Sequence, residues 1–149
     1  MENENKQLQL LVEKVGLTMK EGLSPYGRWI AGKLISAEYG KVVFEIEVRE
    51  DMTNPLQMLH GGATAGIVDE VIGIAVFSLG RPNFYNTINL VIDYFATAKL
   101  GDIVVASATI IKPGNNIINV KCELWDITQK KLLVNGSSNL MKIEQTFGL

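Results

Sequence analysis

Two adjacent carboxylates, Asp69 and Glu70, stand in a segment that carries no other charge between residues 61 and 80. A carboxylate that faces a polarised carbonyl can act as a general base on water, or it can attack the carbonyl directly. Either reaction fits acyl transfer to water. A buried charge is normally paired whether or not it is catalytic, so a purely structural role for the pair stays open.

The only histidine of the chain, His60, precedes this segment and is followed by Gly61 and Gly62. If a helix begins here, its first N–H groups and the positive end of its dipole suit a carbonyl oxygen that gains negative charge. The glycines would let a substrate approach the backbone closely. Taken alone, His60 is better explained as an ordinary loop histidine, and no second His or Cys lies at metal-ligand spacing.

The composition of the 149 residues excludes several classes of protein. A net charge of -2, without a block of Lys or Arg, argues against nucleic-acid binding through bulk charge. The single cysteine, Cys122, excludes an intrachain disulfide framework and is interpreted as a small buried apolar residue on a strand. The first residues are acidic and polar and lack the features of a signal peptide, so we expect a cytoplasmic protein.

Residues 61 to about 79 are apolar on nearly every side, which predicts a long buried helix. The length would also suit a membrane span, but ionised carboxylates near the centre of a span are costly. On such a helix Asp69 shares a face with three glycines, whereas Glu70 points about 100° away. The three are Gly62, Gly66 and Gly73. They predict the close approach of a ligand or of another helix.

His60 and Asp69 are too far apart to act on one carbonyl within one chain. Nine residues of helix span roughly 13 Å. A symmetric dimer with antiparallel helices would bring the helix start of one subunit near Asp69 of the other. Helix packing at a dimer interface, without any chemistry, explains the glycine face equally well on residue pattern alone.

The other elements are predicted from hydrophobic periodicity. An amphipathic helix is expected near residues 4 to 20. Strands are expected, with turns between them, at about 27–36, 41–48, 87–97, 102–112, 117–127 and 132–143. A run of mostly antiparallel strands can surround one apolar helix only if the sheet curls around it, so the predicted fold class is α+β.

The stretch NPLQMLHGGATAGIVDE resembles the signature of the hotdog-fold thioesterases, in particular the phenylacetate-pathway (PaaI-like) type of the acyl-CoA thioesterase superfamily. AKLGD ahead of a strand is also typical of that family. The resemblance covers about residues 25 to 143. It implies a hotdog fold, in which a curled antiparallel sheet wraps around a long central helix. It further implies a single domain over 1–149, with 1–24 as a helical extension.

The same resemblance assigns roles to five residues. It implies that Asp69, contributed by the other subunit, is the catalytic carboxylate, with Glu70 the less favoured acid. Gly61, beside His60 at the start of the helix, would polarise the thioester carbonyl through its N–H. Asn54 would lie near the nucleophile or its water, and Thr87 would position the water.

Residues that bind the coenzyme A part of a substrate are less clearly marked. Many relatives carry a basic residue after the hairpin glycine that follows the fourth strand, and Asn115 and Asn116 stand in that place here. Each basic candidate is more often a solvated surface charge than a ligand. The candidates are Gly62, Arg81, Lys99, Lys112, Asn115 and Asn116. An aromatic set, equally explained by ordinary packing, is a candidate acyl pocket: Phe84, Tyr85, Tyr94 and Phe95.

These observations predict a cytoplasmic acyl-CoA thioesterase that converts acyl-CoA and water to a carboxylic acid and coenzyme A. Asp69 would be its general base or nucleophile, and both roles stay open. We expect no metal and no bound cofactor, coenzyme A being part of the substrate. We expect a homodimer or a dimer of dimers, without nucleic acid. The alternatives are a non-catalytic acyl-CoA-binding sensor or carrier, and a purely structural dimer.

Overall fold

The computed structural model describes residues 4–22 and 24–149 and contains a six-stranded antiparallel sheet. The strands are β1 (Lys33–Glu38), β2 (Lys41–Glu47), β3 (Asn83–Tyr94), β4 (Ile103–Pro113), β5 (Ile117–Asp126) and β6 (Leu132–Thr146). Their order across the sheet is β1-β2-β4-β5-β6-β3. The two edges of the sheet are therefore β1 and β3.

The central helix, α3 (Gly61–Phe77), packs against five of the six strands, from β2 to β3. Ile67, Val68, Ile72 and Ala75 of α3 are fully buried, as are inward-facing side chains of β2, β4 and β5. Burial of this apolar surface is the main source of the stability of the fold. The predicted α+β architecture, a curled antiparallel sheet around one long helix, is confirmed.

The C-terminal end of α3 is held by a buried hydroxyl. The Ser78 side chain donates a hydrogen bond to the Ala75 carbonyl and accepts one from the Gly40 N–H at 2.9 Å. Gly40 has a φ of 76° in the β1–β2 turn, a conformation that glycine adopts without strain. This contact fixes the end of α3 against that turn, and thereby the position of the helix along the sheet.

The N-terminal region differs from the prediction. The first helix, α1 (Lys6–Glu13), is shorter than the predicted 4–20, and it begins where the Asn5 side chain accepts a hydrogen bond from the Leu8 N–H. Residues 1–3 and 23 of the predicted extension lie outside the described residues. Leu11 of α1 belongs to the same apolar core as α3.

The predicted strand at 27–36 is wrong in its first half, which forms the helix α2 (Pro25–Ile30). Ser24 caps this helix by accepting a hydrogen bond from the Gly27 N–H, and Pro25 occupies its first turn. Both residues favour a helix start, and their local signal outweighed the strand-like alternation of the residues that follow.

The remaining strands are confirmed, with two changes of length. β3 runs from Asn83 to Tyr94 rather than from residue 87 to residue 97, and β6 extends to Thr146 rather than to residue 143. The extra residues pair with each other, since Asn83 lies opposite Thr146. In the part of the chain that the structure describes, no helix is both long enough and apolar enough to cross a membrane.

Candidate active site

His60 caps the start of α3. Its Nδ1 accepts a hydrogen bond from the Gly62 N–H at 2.8 Å, and its carbonyl accepts one from the Thr64 N–H. A ring nitrogen that accepts a hydrogen bond carries no proton, so the proton of the neutral ring lies on Nε2. The cap accounts for the position of His60 without chemistry, and a catalytic role for this side chain stays a prediction.

We expect His60→Ala to lower the free energy of unfolding by about 1 kcal/mol, because the helix loses its cap. His60→Asn should recover most of that loss, since Asn is a favourable cap residue. Urea unfolding followed by circular dichroism measures both changes. A His60→Asn variant as stable as the wild type, but unable to turn over a thioester substrate, would instead show that the imidazole takes part in the reaction.

Gly61, the first residue of α3, borders a cavity of about 270 Å³. A first-turn N–H of a helix has no acceptor within the helix, so the Gly61 N–H is available to a ligand. The Gly61 carbonyl is held by the Tyr94 hydroxyl, which donates to it at 2.8 Å. The structure thus places a backbone donor, at the positive end of a helix dipole, beside an open volume.

Asn54 lines the same cavity as Gly61. Its side-chain oxygen accepts hydrogen bonds from the Leu56 N–H at 2.9 Å and the Met58 N–H at 3.1 Å, which shape the loop ahead of α3. The side-chain NH2 of Asn54 is therefore the part that can donate to a ligand. The structure thus places Asn54 and Gly61 at one cavity, and the role of Asn54 near the nucleophile or its water stays a prediction.

Asp69 and Thr87 are also brought together. The Thr87 hydroxyl, on β3, donates to Oδ1 of Asp69 at 2.8 Å. Asp69 is partly buried and Thr87 is exposed, so the pair lies at the surface of the protomer, beside the open edge of the sheet. A hydroxyl that donates to one carboxylate oxygen orients the carboxylate and leaves its second oxygen for a water or a substrate.

Glu70 has different surroundings from Asp69. It lies under α2, where a Cβ on Gly27 would overlap its carboxylate. Burial raises the pKa of Glu70 above its usual value, a hydrogen bond with Ser24 opposes that rise, and the neighbouring Asp69 charge adds to it. The two carboxylates of the motif therefore face different regions of the molecule, Asp69 toward β3 and Glu70 toward α2.

The glycines on one face of α3 have different surroundings. The Tyr26 hydroxyl of α2 occupies the space that a Cβ on Gly66 would fill. A Cβ on Gly73 would have no atom within 4 Å. The close approach predicted for this face is thus made at Gly66 by the chain itself, whereas Gly73 faces open space.

The candidates for binding coenzyme A phosphates fall at opposite ends of α3. Lys99 is exposed, and it pairs with Met58 in the loop that leads into the helix. Lys112 is exposed at the end of β4, in the hairpin tied to the residues that follow the helix. Along one protomer the helix between them spans roughly 25 Å.

Several of the other candidate residues already form hydrogen bonds within the protein. The Arg81 guanidinium donates to the carbonyls of Pro113, at 2.7 Å, and Gly114, and to the Tyr85 hydroxyl. The carbonyls of Asn115 and Asn116 accept from the Tyr85 hydroxyl and the Lys142 N–H. Arg81 has a structural explanation, as does Gly62, whose N–H is taken by the His60 cap.

The predicted aromatic set is divided between two cavities. Tyr94 and Phe95 line the 270 Å³ cavity beside Gly61. Phe84 lines a second cavity, of about 450 Å³, together with Phe147, whose ring centroid lies 5.4 Å from that of Phe84. Tyr85 is buried, and its hydroxyl is engaged with Arg81 and Asn115. Sequence reasoning missed the second cavity and the contact of Tyr94 with Gly61.

Cys122 is fully buried, as predicted. Burial raises the pKa of its thiol far above the usual range, so this thiol is not a nucleophile. Among residues 4–22 and 24–149, no three His, Cys, Asp or Glu side chains cluster at metal-binding spacing.

Comparisons with known proteins show the family to which the chain is similar. Residues 56–133 match the thioesterase superfamily. Human acyl-coenzyme A thioesterase 13 is 34% identical over 103 residues, which cover 69% of this chain and 74% of that protein.

Two solved structures show the likeness of fold. The PaaI protein from the phenylacetic acid degradation operon of Escherichia coli is 21% identical and superposes with a TM-score of 0.76, covering 83% of this chain and 88% of that one. The smu.793 protein of Streptococcus mutans, bound to acetyl CoA, is 20% identical with a TM-score of 0.71, covering 77% and 90%. The predicted hotdog fold is confirmed.

Proposed function

Because this chain belongs to the thioesterase superfamily, we propose that it hydrolyses an acyl-CoA thioester to a carboxylic acid and coenzyme A. The observation that carries the proposal is the hydrogen bond from Thr87 to Asp69, on the helix whose start presents the Gly61 N–H to a cavity. A carboxylate and a backbone donor are the two groups that hydrolysis of a thioester needs.

In the proposed reaction, the Gly61 N–H donates to the thioester carbonyl oxygen as that oxygen gains negative charge. Asp69 takes a proton from a water that attacks the carbonyl carbon, with the Asn54 amide near that water. A C–O bond forms, the C–S bond breaks, and the leaving thiolate takes the proton back from Asp69. In the second open route, the Asp69 carboxylate attacks the carbonyl carbon and the C–S bond breaks, which gives a mixed anhydride and the coenzyme A thiolate. Water then hydrolyses the anhydride to the carboxylic acid and free Asp69, and the proton released goes to the thiolate.

The site is proposed to be shared between two subunits. Gly61 and Asp69 are eight residues apart on α3, or about 12 Å along its axis, which is too far for one carbonyl. Asp69 accepts a hydrogen bond from Thr87 of β3, which is a 12-residue strand at one edge of the sheet. A long exposed edge strand readily pairs with a strand of another chain. The exposed apolar side chains of β3 include Ile88 and Val91.

A two-fold axis beside β3 would pair the two edge strands antiparallel and set the Gly61 end of one protomer near Asp69 of the other. The same axis would bring Lys99 of one protomer toward the Lys112 hairpin of the other. We therefore propose a homodimer, alone or as a dimer of dimers, in which Lys99, Lys112 and the adjoining Asn115 and Asn116 surround the coenzyme A phosphates.

We propose a reaction without a bound cofactor, and a cytoplasmic location. Coenzyme A enters only as part of the substrate, and the reaction above uses no metal or further cofactor. We place the protein in the cytoplasm, which is supported by a single cysteine that is buried inside the sheet and forms no disulfide.

The test is the release of free thiol from a panel of aliphatic and aromatic acyl-CoAs by the wild-type protein. We expect turnover of at least one of them to exceed spontaneous hydrolysis by about a millionfold or more, the lower end of enzymatic rate enhancements. Tight binding of a coenzyme A ester without turnover would instead indicate a sensor or carrier. Neither binding nor turnover of any ester would contradict the proposal.

A further inference from the structure

A cavity of about 450 Å³ lies between α3, the two N-terminal helices and β2. Its walls are largely apolar and include Leu11, Ile30, Phe44, Ile46, Phe77 and Phe147. The volume falls within the range of small-molecule sites in proteins. It is about three times that of an apolar cavity large enough for benzene. The cavity therefore has room for a chain of many carbons.

Gly73 connects this cavity with the Asp69 side of the helix. It lies four residues after Asp69, so the two positions share one face of α3. Gly73 is exposed and borders the cavity, and a Cβ there would have open space around it. The route from the carboxylate to the cavity thus passes over a residue without a side chain.

The fold itself gives no reason for a glycine at this position. Glycine in the middle of a helix is destabilising. Gly73 has no positive φ that would require glycine, and no neighbouring atom approaches it. At Gly66, by contrast, the Tyr26 hydroxyl occupies the missing Cβ position. Within one chain, the glycine at 73 leaves an opening beside the cavity.

We propose that the cavity holds an unbranched aliphatic acyl chain of the substrate, and that Gly73 sets the length of chain that can enter. The chain extends from the thioester carbon at Asp69 across Gly73 into the apolar walls. This inference rests on the proposed function, because it is the thioester at Asp69 that places the chain at the opening.

Glu70, the neighbour of Asp69, is a carboxylate that lines the cavity itself. It lies under α2, close to Gly27, and forms a hydrogen bond with Ser24. The other charged side chains that border the cavity lie on its N-terminal side, where Lys14 is half-buried and Glu21 is exposed. The part of the cavity beyond Gly73, toward Phe77 and Phe147, is apolar and matches a hydrocarbon.

The test uses S-alkyl-CoA thioethers, which bind but cannot be hydrolysed, titrated into the full-length protein by calorimetry. Each buried methylene should tighten binding about fourfold. We therefore expect dodecyl-CoA to bind the wild type at least about a hundredfold more tightly than butyl-CoA. In Gly73→Val, which fills the opening, that advantage of dodecyl-CoA over butyl-CoA should fall at least about tenfold.

A second variant changes the opposite end of the cavity. Phe147→Ala should extend the longest chain that still gains affinity, because the Phe147 ring packs on Phe77 and Phe84 and closes that end. An unchanged ratio of dodecyl to butyl affinity in folded Gly73→Val would overturn the inference. So would tighter binding of benzyl-CoA than of dodecyl-CoA by the wild type. Length-dependent binding without thioester turnover would refute the proposed function and leave this inference standing.

Discussion

Asp69→Asn is expected to release free thiol from acyl-CoA at least about a hundredfold more slowly than the wild type, because it removes the group that activates water or attacks the carbonyl. The amide keeps the size of the side chain and can still accept the hydrogen bond from the Thr87 hydroxyl. The helix and the edge strand should therefore keep their places. The loss should appear in kcat rather than in KM, since the carboxylate acts in the transition state.

Glu70→Gln is the matched variant, since it removes the adjacent charge by the same chemical change. Glu70 lies under α2 and forms a hydrogen bond with Ser24, whereas the Thr87 hydroxyl donates to Asp69. We therefore expect turnover by Glu70→Gln to stay within about tenfold of wild type. Thermal unfolding should confirm that both variants are folded. If turnover survives in Asp69→Asn and is lost in Glu70→Gln, the catalytic carboxylate has been assigned to the wrong member of the pair.

Two inactive variants are expected to restore activity to each other when they form mixed dimers. Gly61→Pro removes the N–H that would polarise the thioester carbonyl. Proline suits the first position of a helix, and the φ of -64° and ψ of 137° at His60 are those that a residue before proline prefers. The backbone of α3 should therefore begin in the same way in Gly61→Pro, which loses one donor.

In a mixed dimer of Gly61→Pro and Asp69→Asn, one of the two sites would combine an intact Gly61 with an intact Asp69 from the other chain. Co-expression with random pairing should yield about a quarter of wild-type activity, since half of the dimers carry one intact site of two. Gly61→Ala, which keeps the N–H, is the control and should be far more active alone than Gly61→Pro. Mixed dimers, verified by two affinity tags, that remain inactive would show that each site lies within one subunit.

Local sequence patterns predicted three of the strands correctly and failed at residues 25–30. The strands β2, β4 and β5 follow from alternating apolar residues, because one face of each meets the core and the period of a strand is two. At residues 25–30 the same kind of pattern failed. There Ser24 and Pro25 start a helix, and capping of a free N–H outweighed a short alternation in which few side chains are deeply buried.

For the candidate site as well, part could be predicted from sequence and part required the structure. The segment from His60 to Asp69 was visible in the sequence because its parts are close along the chain, and the family resemblance added Asn54 and Thr87. The structure showed that the Thr87 hydroxyl donates to Asp69. By residue type Arg81 was as plausible a phosphate-binding residue as Lys99 or Lys112, but its guanidinium donates to the carbonyls of Pro113 and Gly114 in the hairpin. Residue type indicates what a side chain can bind, but only its surroundings show what it does bind.

The central helix, the strands and the carboxylate that follows a glycine-rich helix start can be inferred from the residues alone, because periodicity and neighbouring residues encode them. The folded chain was needed to show that His60 caps α3, that Asp69 and Glu70 have different surroundings, and that Gly66 is covered while Gly73 is open. It also showed that the N-terminal helices enclose a cavity with β2 and α3. Each of these depends on contacts between residues far apart in the chain, for which no local pattern exists.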